Sequence, residues 1–276
     1  RLDWRFSPER DFILKLVAGT HWSGSIGLHR GPSGQWDFNR AGNFMALFII
    51  TLVRTLVAAT VLSVFVASPV SAAPVSAAEK RPRGVVELFT SQGCSSCPPA
   101  DRVLSELVAQ GDVIALAYHV DYWDNLGWKD TLGSARNTAR QYDYAHTLGR
   151  SSVYTPQAVI NGRDHINGAD RGGINAKVDA FAREGSGLNV ALTTRMDADR
   201  IRITVGEGQG KANVIVVYYD KLNTVAVKHG ENQGKTIDYW NAVRDIQTIA
   251  MWDGEAMALD LPSSVMKGHN YDGCTI

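Results

Sequence analysis

The sequence has few cysteines, no excess of charge of either sign, and no uninterrupted apolar run of membrane-spanning length. Only three cysteines occur among 276 residues, which excludes a fold held together by many disulfides. Basic and acidic residues both number 28, so no net positive charge attracts nucleic acid, and no nucleic-acid partner is predicted. With 45% hydrophobic and 20% charged residues, the composition is typical of a globular protein of one or two domains.

Residues 45–78 have the pattern of a secretory signal peptide. The leader beginning at Met45 carries one positive charge, Arg54, and precedes a run of 13 apolar or small residues. This run is shorter than the roughly 20 residues that cross a bilayer, but it suits the central region of a signal peptide. Small residues before Glu79 fit cleavage there. We therefore expect a periplasmic or secreted protein with no stable membrane span after cleavage. An uncleaved N-terminal anchor is the alternative.

Residues 1–44 precede this signal and begin with arginine rather than methionine. They are rich in Trp, Gly and Arg and show no sustained hydrophobic period. Because a signal peptide starts near the N-terminus of its protein, we interpret this segment as a mis-called or non-native leader. At the other end, a strand starting near Cys274 would be cut short at Ile276, which is the pattern of a C-terminally truncated domain.

Residues 79–186 alternate strand and helix patterns. The first strand, helix and strand fall within 37 residues, which indicates two parallel strands joined by a right-handed crossover. We therefore predict an α/β thioredoxin-like domain, whose first helix ends at a capping glycine, Gly111. The predicted strands cover 84–90, 113–120 and 157–162, and the predicted helices cover 98–111, 134–148 and 172–184.

Residues 187–276 have a different pattern. Segments of alternating apolar and polar residues at 188–196, 200–208 and 212–220 are separated by Gly, Asp or Asn, which is typical of antiparallel strands. We predict a small β-rich, sandwich-like domain here. Within it, residues 236–250 repeat apolar side chains every three positions, which fits either a helix or a twisted strand.

Cys94 and Cys97 form a C-x-x-C motif between the first predicted strand and helix, the position of the redox motif in thioredoxin-like proteins. This spacing brings two sulfur atoms within bonding distance, and a helix N-terminus stabilises a thiolate. The thiolate is the attacking species in disulfide exchange. We predict that Cys94 is the nucleophile and Cys97 the resolving thiol.

Two prolines follow the motif, beginning at Pro98. Because a residue before proline avoids the helical conformation, we expect the helix to begin near Pro98 with Ser95 or Ser96 as its N-cap. Cys94 then lies outside the helix and is expected to be the more exposed of the two thiols. The alternatives for the motif are a purely structural disulfide and half of a zinc site, although a structural zinc site usually needs a second such pair.

Three further residues are expected to assist the cysteines. Glu87 lies on the strand that leads into the motif and is predicted to accept or relay a proton. Thr155 and Pro156 directly precede the strand at 157–162, where thioredoxin-like proteins have a cis-proline that faces the disulfide. We predict that Pro156 shapes the substrate groove and that Thr155 faces the substrate. An exposed Glu87 and an ordinary trans turn proline are the alternatives.

A second cluster, HVDYWD at 119–124, follows a predicted parallel strand, at the end of the sheet where α/β proteins bind ligands. We expect Tyr122 and Trp123 to form a wall that faces the substrate. The main prediction includes no cofactor and no metal. The alternative is a copper site made by Cys94, Cys97 and His119. In a third interpretation the aromatic side chains pack in the core and His119 is a hydrogen-bonded core residue.

Four segments together resemble a known family. ELFTSQGCSSCPPAD, HVDYWDNLGWKD, VYTPQAVINGR and HGENQGKT resemble, in the same order, the mostly bacterial secreted family catalogued as domain of unknown function 1223. That family is placed in the thioredoxin-like superfamily, and the resemblance runs from about Gly84 to near the C-terminus. It implies a thioredoxin-like fold around the C-x-x-C motif. It implies no particular reaction, because the family has no settled one.

Three functions are consistent with these features. The first is thiol–disulfide exchange by an exported protein whose partners are protein thiols or disulfides in the cell envelope. The second is periplasmic copper handling through Cys94, Cys97 and His119. The third is a non-enzymatic binding module in which the disulfide is structural and the β-rich domain recognises a partner. The reduction potential of the C-x-x-C pair separates the first function from the third.

Overall fold

The structure is a computed structural model that describes residues 12–13, 81–264 and 270–276. The predicted signal peptide at 45–78 lies outside the described residues, as does the predicted leader at 1–44 apart from one two-residue strand. The strands are β1 (Phe12–Ile13), β2 (Val85–Thr90), β3 (Ile114–His119), β4 (Gln157–Ile160), β5 (Asp164–Asn167), β6 (Leu192–Met196), β7 (Arg200–Val205), β8 (Ala212–Ala226), β9 (Thr236–Trp252), β10 (Met257–Pro262) and β11 (Gly273–Thr275), and the helices are α1 (Pro98–Gln110), α2 (Ala135–Thr147) and α3 (Arg171–Arg183).

The first half of the described chain forms one side of a seven-stranded sheet. β2 and β3 are parallel and are joined by α1, with Thr90 opposite His119 at their carboxyl ends. β4 pairs antiparallel with the other edge of β2, and β5 pairs antiparallel with β4. The mixed α/β class is therefore confirmed, and β4 lies directly beside the first strand.

The two faces of this sheet are covered by different helices. Val86 and Leu88 of β2 pack with Leu104 of α1 and with α3 on one face. Phe89 packs on the opposite face, where Tyr144 of α2 lies edge-on against its ring. This division follows from the alternation of side chains along a strand. It places α1, which follows the C-x-x-C motif, and α2 on opposite sides of β2.

The ends of the helices follow local sequence signals. Gly111 ends α1 in the left-handed conformation, with φ of 66°, which glycine adopts without steric cost. The Ser134 side chain accepts a hydrogen bond from the third residue of α2, and Asp170 does the same for α3. These side chains satisfy backbone N–H groups that have no partner inside the helix. The predicted helices at these positions are confirmed, and so is Gly111 as the capping residue of α1. Ser134, predicted as the first residue of its helix, is the N-cap.

The β-rich half is only partly separate from the first half. β8 and β9, with 15 and 17 residues, pair with each other, and β9 continues the large sheet by pairing parallel with β3 at Ala117 and Ala242. The sheet order is therefore β11-β8-β9-β3-β2-β4-β5. The ambiguous segment 236–250 lies within β9. The alternation of apolar and polar residues along a strand does not depend on which sheet the strand joins. The sequence therefore did not reveal that β9 pairs with β3.

A smaller antiparallel sheet contains β6, β7 and β10, with β1 paired to the outer side of β6. Leu192 and Ile203 of this sheet share a core with Val214 of β8 and Trp252 of β9. Sandwich-like packing is thus limited to the part of the β8–β9 hairpin that contacts the small sheet. Within residues 12–13, 81–264 and 270–276, no helix is long and apolar enough to span a membrane.

Candidate functional site

A disulfide joins Cys94 and Cys97 in the loop between β2 and α1. Cys97 is the N-cap residue of α1, and its side chain makes no capping hydrogen bond. The prediction that Ser95 or Ser96 caps the helix is wrong, because the turn at the motif places Cys97 directly before the first helical proline. The disulfide therefore lies at the positive end of the helix dipole, where a thiolate is stabilised after reduction.

Both cysteines are fully buried, each with 0% exposure, whereas Ser95 and Ser96 between them are exposed. The expectation that Cys94 is the more exposed thiol is therefore wrong for the oxidised protein. Its position outside the helix does not expose it, because another part of the chain covers the motif.

The covering segment is the cap loop, residues 227–235, which connects β8 to β9. Its Asn232 is fully buried and donates hydrogen bonds from the amide nitrogen to the backbone oxygens of Gln92, at 3.0 Å, and Cys94, at 2.8 Å. Glu231 accepts a hydrogen bond from the backbone N–H of Ser95 at 3.1 Å. The sequence included these residues in the HGENQGKT segment but gave them no role. Nothing local in the sequence connects them to cysteines more than 130 positions earlier.

A buried ion pair lies beside the motif. Nδ1 of His119 and Oδ2 of Asp130 are 2.8 Å apart, and both side chains are fully buried. Burial by itself lowers the pKa of His119, but the charge and hydrogen bond of Asp130 outweigh it and raise that pKa. Asp130 also accepts hydrogen bonds from the backbone N–H groups of Gln92 and Leu132. His119 thus positions Asp130, which in turn holds the loop that contains the cysteines.

Asp101 is a second buried acid close to the motif. It lies one helical turn after Cys97, and its backbone N–H donates to the Cys97 carbonyl at 3.1 Å. Residues four apart share one face of a helix, so the two side chains lie on the same side of α1. Burial raises the pKa of Asp101 to about 7, although the charge of His119 and a hydrogen bond from Thr90 at 2.7 Å oppose this rise.

Three buried polar atoms in this region have no hydrogen-bond partner among the described residues: Oδ2 of Asp101, Nε2 of His119 and the hydroxyl of Tyr239. The rings of His119 and Tyr239 are in edge contact, with centroids 4.7 Å apart. Asp101 therefore has a buried carboxyl with a raised pKa and one oxygen that makes no hydrogen bond among the described residues. Its sequence position carries no distinguishing signal, because an acid in the first turn of a helix is ordinary.

Glu87 lies in a different environment from the one the sequence suggested. Its carboxylate forms two hydrogen bonds with Arg140 of α2, at 2.5 and 2.8 Å, and accepts a third from the Tyr144 hydroxyl at 2.6 Å. By strand alternation it belongs to the α2 face of the sheet, away from α1. The structure therefore does not bring Glu87 to the same face as Cys97 and Asp101, and all its strong contacts are with α2.

The predicted aromatic wall lies partly beside the motif. Trp123 is half-buried and donates from its indole N–H to the Thr155 hydroxyl at 2.9 Å. A side chain at Gly93 would come within 3.1 Å of Trp123, so this tryptophan packs closely on the cysteine loop. Tyr122 packs against the same core cluster as Trp123 and donates to Gln141 at 3.2 Å. Trp123 therefore connects the cysteine loop with Thr155.

Pro156 is buried, and the Thr155–Pro156 bond is cis. A Cβ atom added to Gly168 would lie 3.1 Å from Ala100 in the first turn of α1 and 3.3 Å from Pro156. These contacts place Pro156 next to the start of α1. Thr155 and Pro156 therefore occupy the same end of the sheet as the disulfide.

The alternative copper site is not assembled in the described residues. They contain no group of three or more His, Cys, Asp or Glu side chains arranged to hold a metal ion. Nδ1 of His119 is occupied by its hydrogen bond with Asp130, and Cys94 and Cys97 are bonded to each other.

Comparison with known proteins identifies relatives but no activity. The family model described as protein of unknown function (DUF1223) matches residues 85–276. A crystal structure of a protein from Agrobacterium tumefaciens is 53% identical, with a TM-score of 0.62, over 67% of this chain and 81% of that chain. None of the functionally curated proteins matches this chain. The matched residues include the cysteine loop, the His119–Asp130 pair and the cap loop, and the chain belongs to the DUF1223 family.

Proposed function

We propose that this is an exported, thioredoxin-like protein that carries out thiol–disulfide exchange through Cys94 and Cys97. The C-x-x-C motif follows the first strand of a βαβ unit, which is the thioredoxin-like position for a redox motif. The antiparallel strands β4 and β5 on the other edge of β2, followed by α3, support the same fold. The observation that carries the proposal is the disulfide at the N-terminus of α1 with a buried, ionisable carboxyl, Asp101, one turn along the same face.

The exchange transfers two electrons from a client dithiol to the protein disulfide. A client thiolate attacks Sγ of Cys94, the Cys94–Cys97 bond breaks, and Cys97 leaves as a thiolate. A second client thiolate then attacks the client sulfur of the mixed disulfide and releases Cys94. The client becomes a disulfide and the protein a dithiol; the same steps in reverse oxidise the protein.

Asp101 is the proposed proton donor to the Cys97 thiolate. With a pKa of about 7, it is partly protonated near neutral pH and changes charge in the range where exchange occurs. Glu87 is not assigned this role, because Arg140 and Tyr144 already use its carboxylate. Trp123 and Thr155 are the proposed substrate-facing residues, and Pro156 is the proposed boundary of the groove.

The reduction potential of the Cys94–Cys97 pair tests this function. Equilibration with glutathione should give a value above about −250 mV if the pair exchanges with clients. A value below about −300 mV would contradict exchange. As an independent test, Cys97→Ser should accumulate mixed disulfides with envelope proteins, whereas the matched variant Cys94→Ser should not.

A structural disulfide is the second candidate, and the complete burial of both cysteines favours it. In that case the bond only fixes the loop that precedes α1. The same potential measurement decides between the two candidates, because structural disulfides in secreted proteins resist reduction by glutathione.

Export is part of the proposal and rests on the sequence of residues 45–78. Protein from the cell envelope should begin at or near Glu79 when its N-terminus is sequenced. An intact leader beginning at Met45 in that fraction would contradict cleavage and favour a membrane anchor.

A further inference from the structure

The cap loop uses the polar backbone groups around the disulfide. The carbonyls of Gln92 and Cys94 accept from the single amide nitrogen of Asn232. The N–H of Ser95 donates to Glu231. The cap loop therefore hydrogen-bonds to two acceptors and one donor of the cysteine loop, in which Gln92 and Cys94 are buried and Ser95 is exposed.

Asn232 itself is held firmly. The Lys235 ammonium donates to its side-chain oxygen at 2.8 Å, and the loop is closed by two backbone hydrogen bonds between Val227 and the 234–235 segment. Gly230 lies against Trp128, whose indole donates to the Gln92 side chain at 2.8 Å. The cap loop is thus a folded element with a fixed contact surface.

The contact at Ser95 differs from the others in its charge. Glu231 is exposed and places a carboxylate oxygen 3.1 Å from the backbone nitrogen next to Cys94. A thiolate formed at Cys94 carries the same charge as this carboxylate, so the two repel each other. The contact between the cap loop and Ser95 is therefore more stable in the oxidised protein than in the reduced protein.

We propose that the cap loop competes with the client, occupying the backbone groups of the cysteine loop to which an extended client segment binds. This inference rests on the proposed exchange function. The partner is an extended peptide containing a cysteine, whose main-chain N–H groups donate to the carbonyls of Gln92 and Cys94 in place of Asn232. Entry of the client requires Asn232 and Glu231 to leave, and reduction weakens the hold of Glu231.

The test compares reduction rates of the disulfide in purified variants. The probes are dithiothreitol and a synthetic peptide that contains one cysteine in an extended, glycine-free segment. Asn232→Ala should form the mixed disulfide with the peptide at least about tenfold faster than wild type, a factor equivalent to about 1.4 kcal/mol. Its reaction with dithiothreitol should accelerate less, because a small dithiol needs fewer backbone groups.

Gln233→Ala is the matched control, since Gln233 is exposed and adjacent in the same loop. It should react like wild type with both probes. Equal rates for Asn232→Ala and Gln233→Ala would overturn the proposal, as would the same acceleration with both probes. Glu231→Gln keeps the hydrogen-bond acceptor but removes the charge. It should reduce the difference in amide hydrogen exchange between the oxidised and the reduced protein.

Hydrogen exchange in the wild-type protein provides a measurement that does not depend on the folding of any variant. The amide of Ser95, which donates to Glu231, should exchange about tenfold faster or more in the reduced protein than in the oxidised one. Unchanged exchange would overturn the redox response of the loop. A reduction potential below about −300 mV, together with a selectively faster peptide reaction in Asn232→Ala, would contradict the exchange function. It would still support the cap loop as the segment that occupies this surface.

Discussion

Glu87 and Asp101 are both buried carboxylates within the first βα unit, but their surroundings are opposite. Glu87, on β2, receives two hydrogen bonds from Arg140 and one from Tyr144. Asp101, on α1, receives one hydrogen bond from Thr90 and leaves one oxygen without a partner among the described residues. Burial alone therefore does not identify a carboxylate as a proton-transfer group. The Glu87 carboxylate, paired with arginine, supports the fold, whereas Asp101 has a raised pKa despite the nearby charge of His119.

The largest expected effect comes from removing the charge of Glu87. Glu87→Gln leaves the Arg140 guanidinium, which is only 24% exposed, without its counter-charge. Breaking such a pair from one side is strongly destabilising, and we expect a loss of about 3 kcal/mol in the free energy of unfolding. Urea denaturation monitored by circular dichroism measures this loss. An unchanged midpoint would show that Arg140 finds another partner and would weaken the contrast with Asp101.

The matched change, Asp101→Asn, should have the opposite sign above neutral pH. The folded-state pKa of Asp101 is raised to about 7, so the folded protein holds this proton more tightly than the unfolded chain does. Its contribution to stability is therefore present below about pH 4 and is lost as pH rises to about 7.

Asp101→Asn should accordingly be more stable than wild type by on the order of 2 kcal/mol at pH 8, and this advantage should vanish near pH 4. Paired denaturation curves across this range provide the measurement. A difference between the two proteins that does not change with pH would contradict the raised pKa. In exchange assays at neutral pH, the same variant should release Cys97 more slowly.

The smallest expected effects come from removing a single hydroxyl group that donates a hydrogen bond to one of the two carboxylates. Thr90→Val removes the hydrogen bond to Asp101 and should raise the pKa of Asp101 further, because that bond favours the charged form. Tyr144→Phe removes one of three hydrogen bonds to Glu87 and should cost about 1 kcal/mol of stability. Carbon-detected NMR titration of Asp101 should shift in Thr90→Val and stay constant in Tyr144→Phe.

Local parts of the fold were predictable from the sequence. Continuous apolar runs predicted the parallel strands β2 and β3, and apolar side chains at helical spacing predicted α1 and α3. These features depend on interactions between near neighbours in the chain. The position of Cys94 and Cys97 before α1 was predictable for the same reason.

The surroundings of the site were not predictable, because they depend on distant pairs. Nothing near Glu87 in the sequence indicates that Arg140 and Tyr144, one turn apart on α2, both reach its carboxylate. Asn232 contacts a carbonyl 138 positions away, and one asparagine carries no sequence signal for such a contact. The sequence thus located the C-x-x-C motif but not the long-range contacts that surround it.

The β8–β9 hairpin also determines when the disulfide becomes covered. The cysteines leave the ribosome more than 130 residues ahead of Asn232, and the cap loop cannot dock until β8 and part of β9 have followed. During that interval the cap loop does not cover the C-x-x-C loop, which is open to oxidants. Oxidation is therefore expected early, on an incomplete chain, and closure late. The chain order itself allows the sulfur–sulfur bond to form before the last strands cover it.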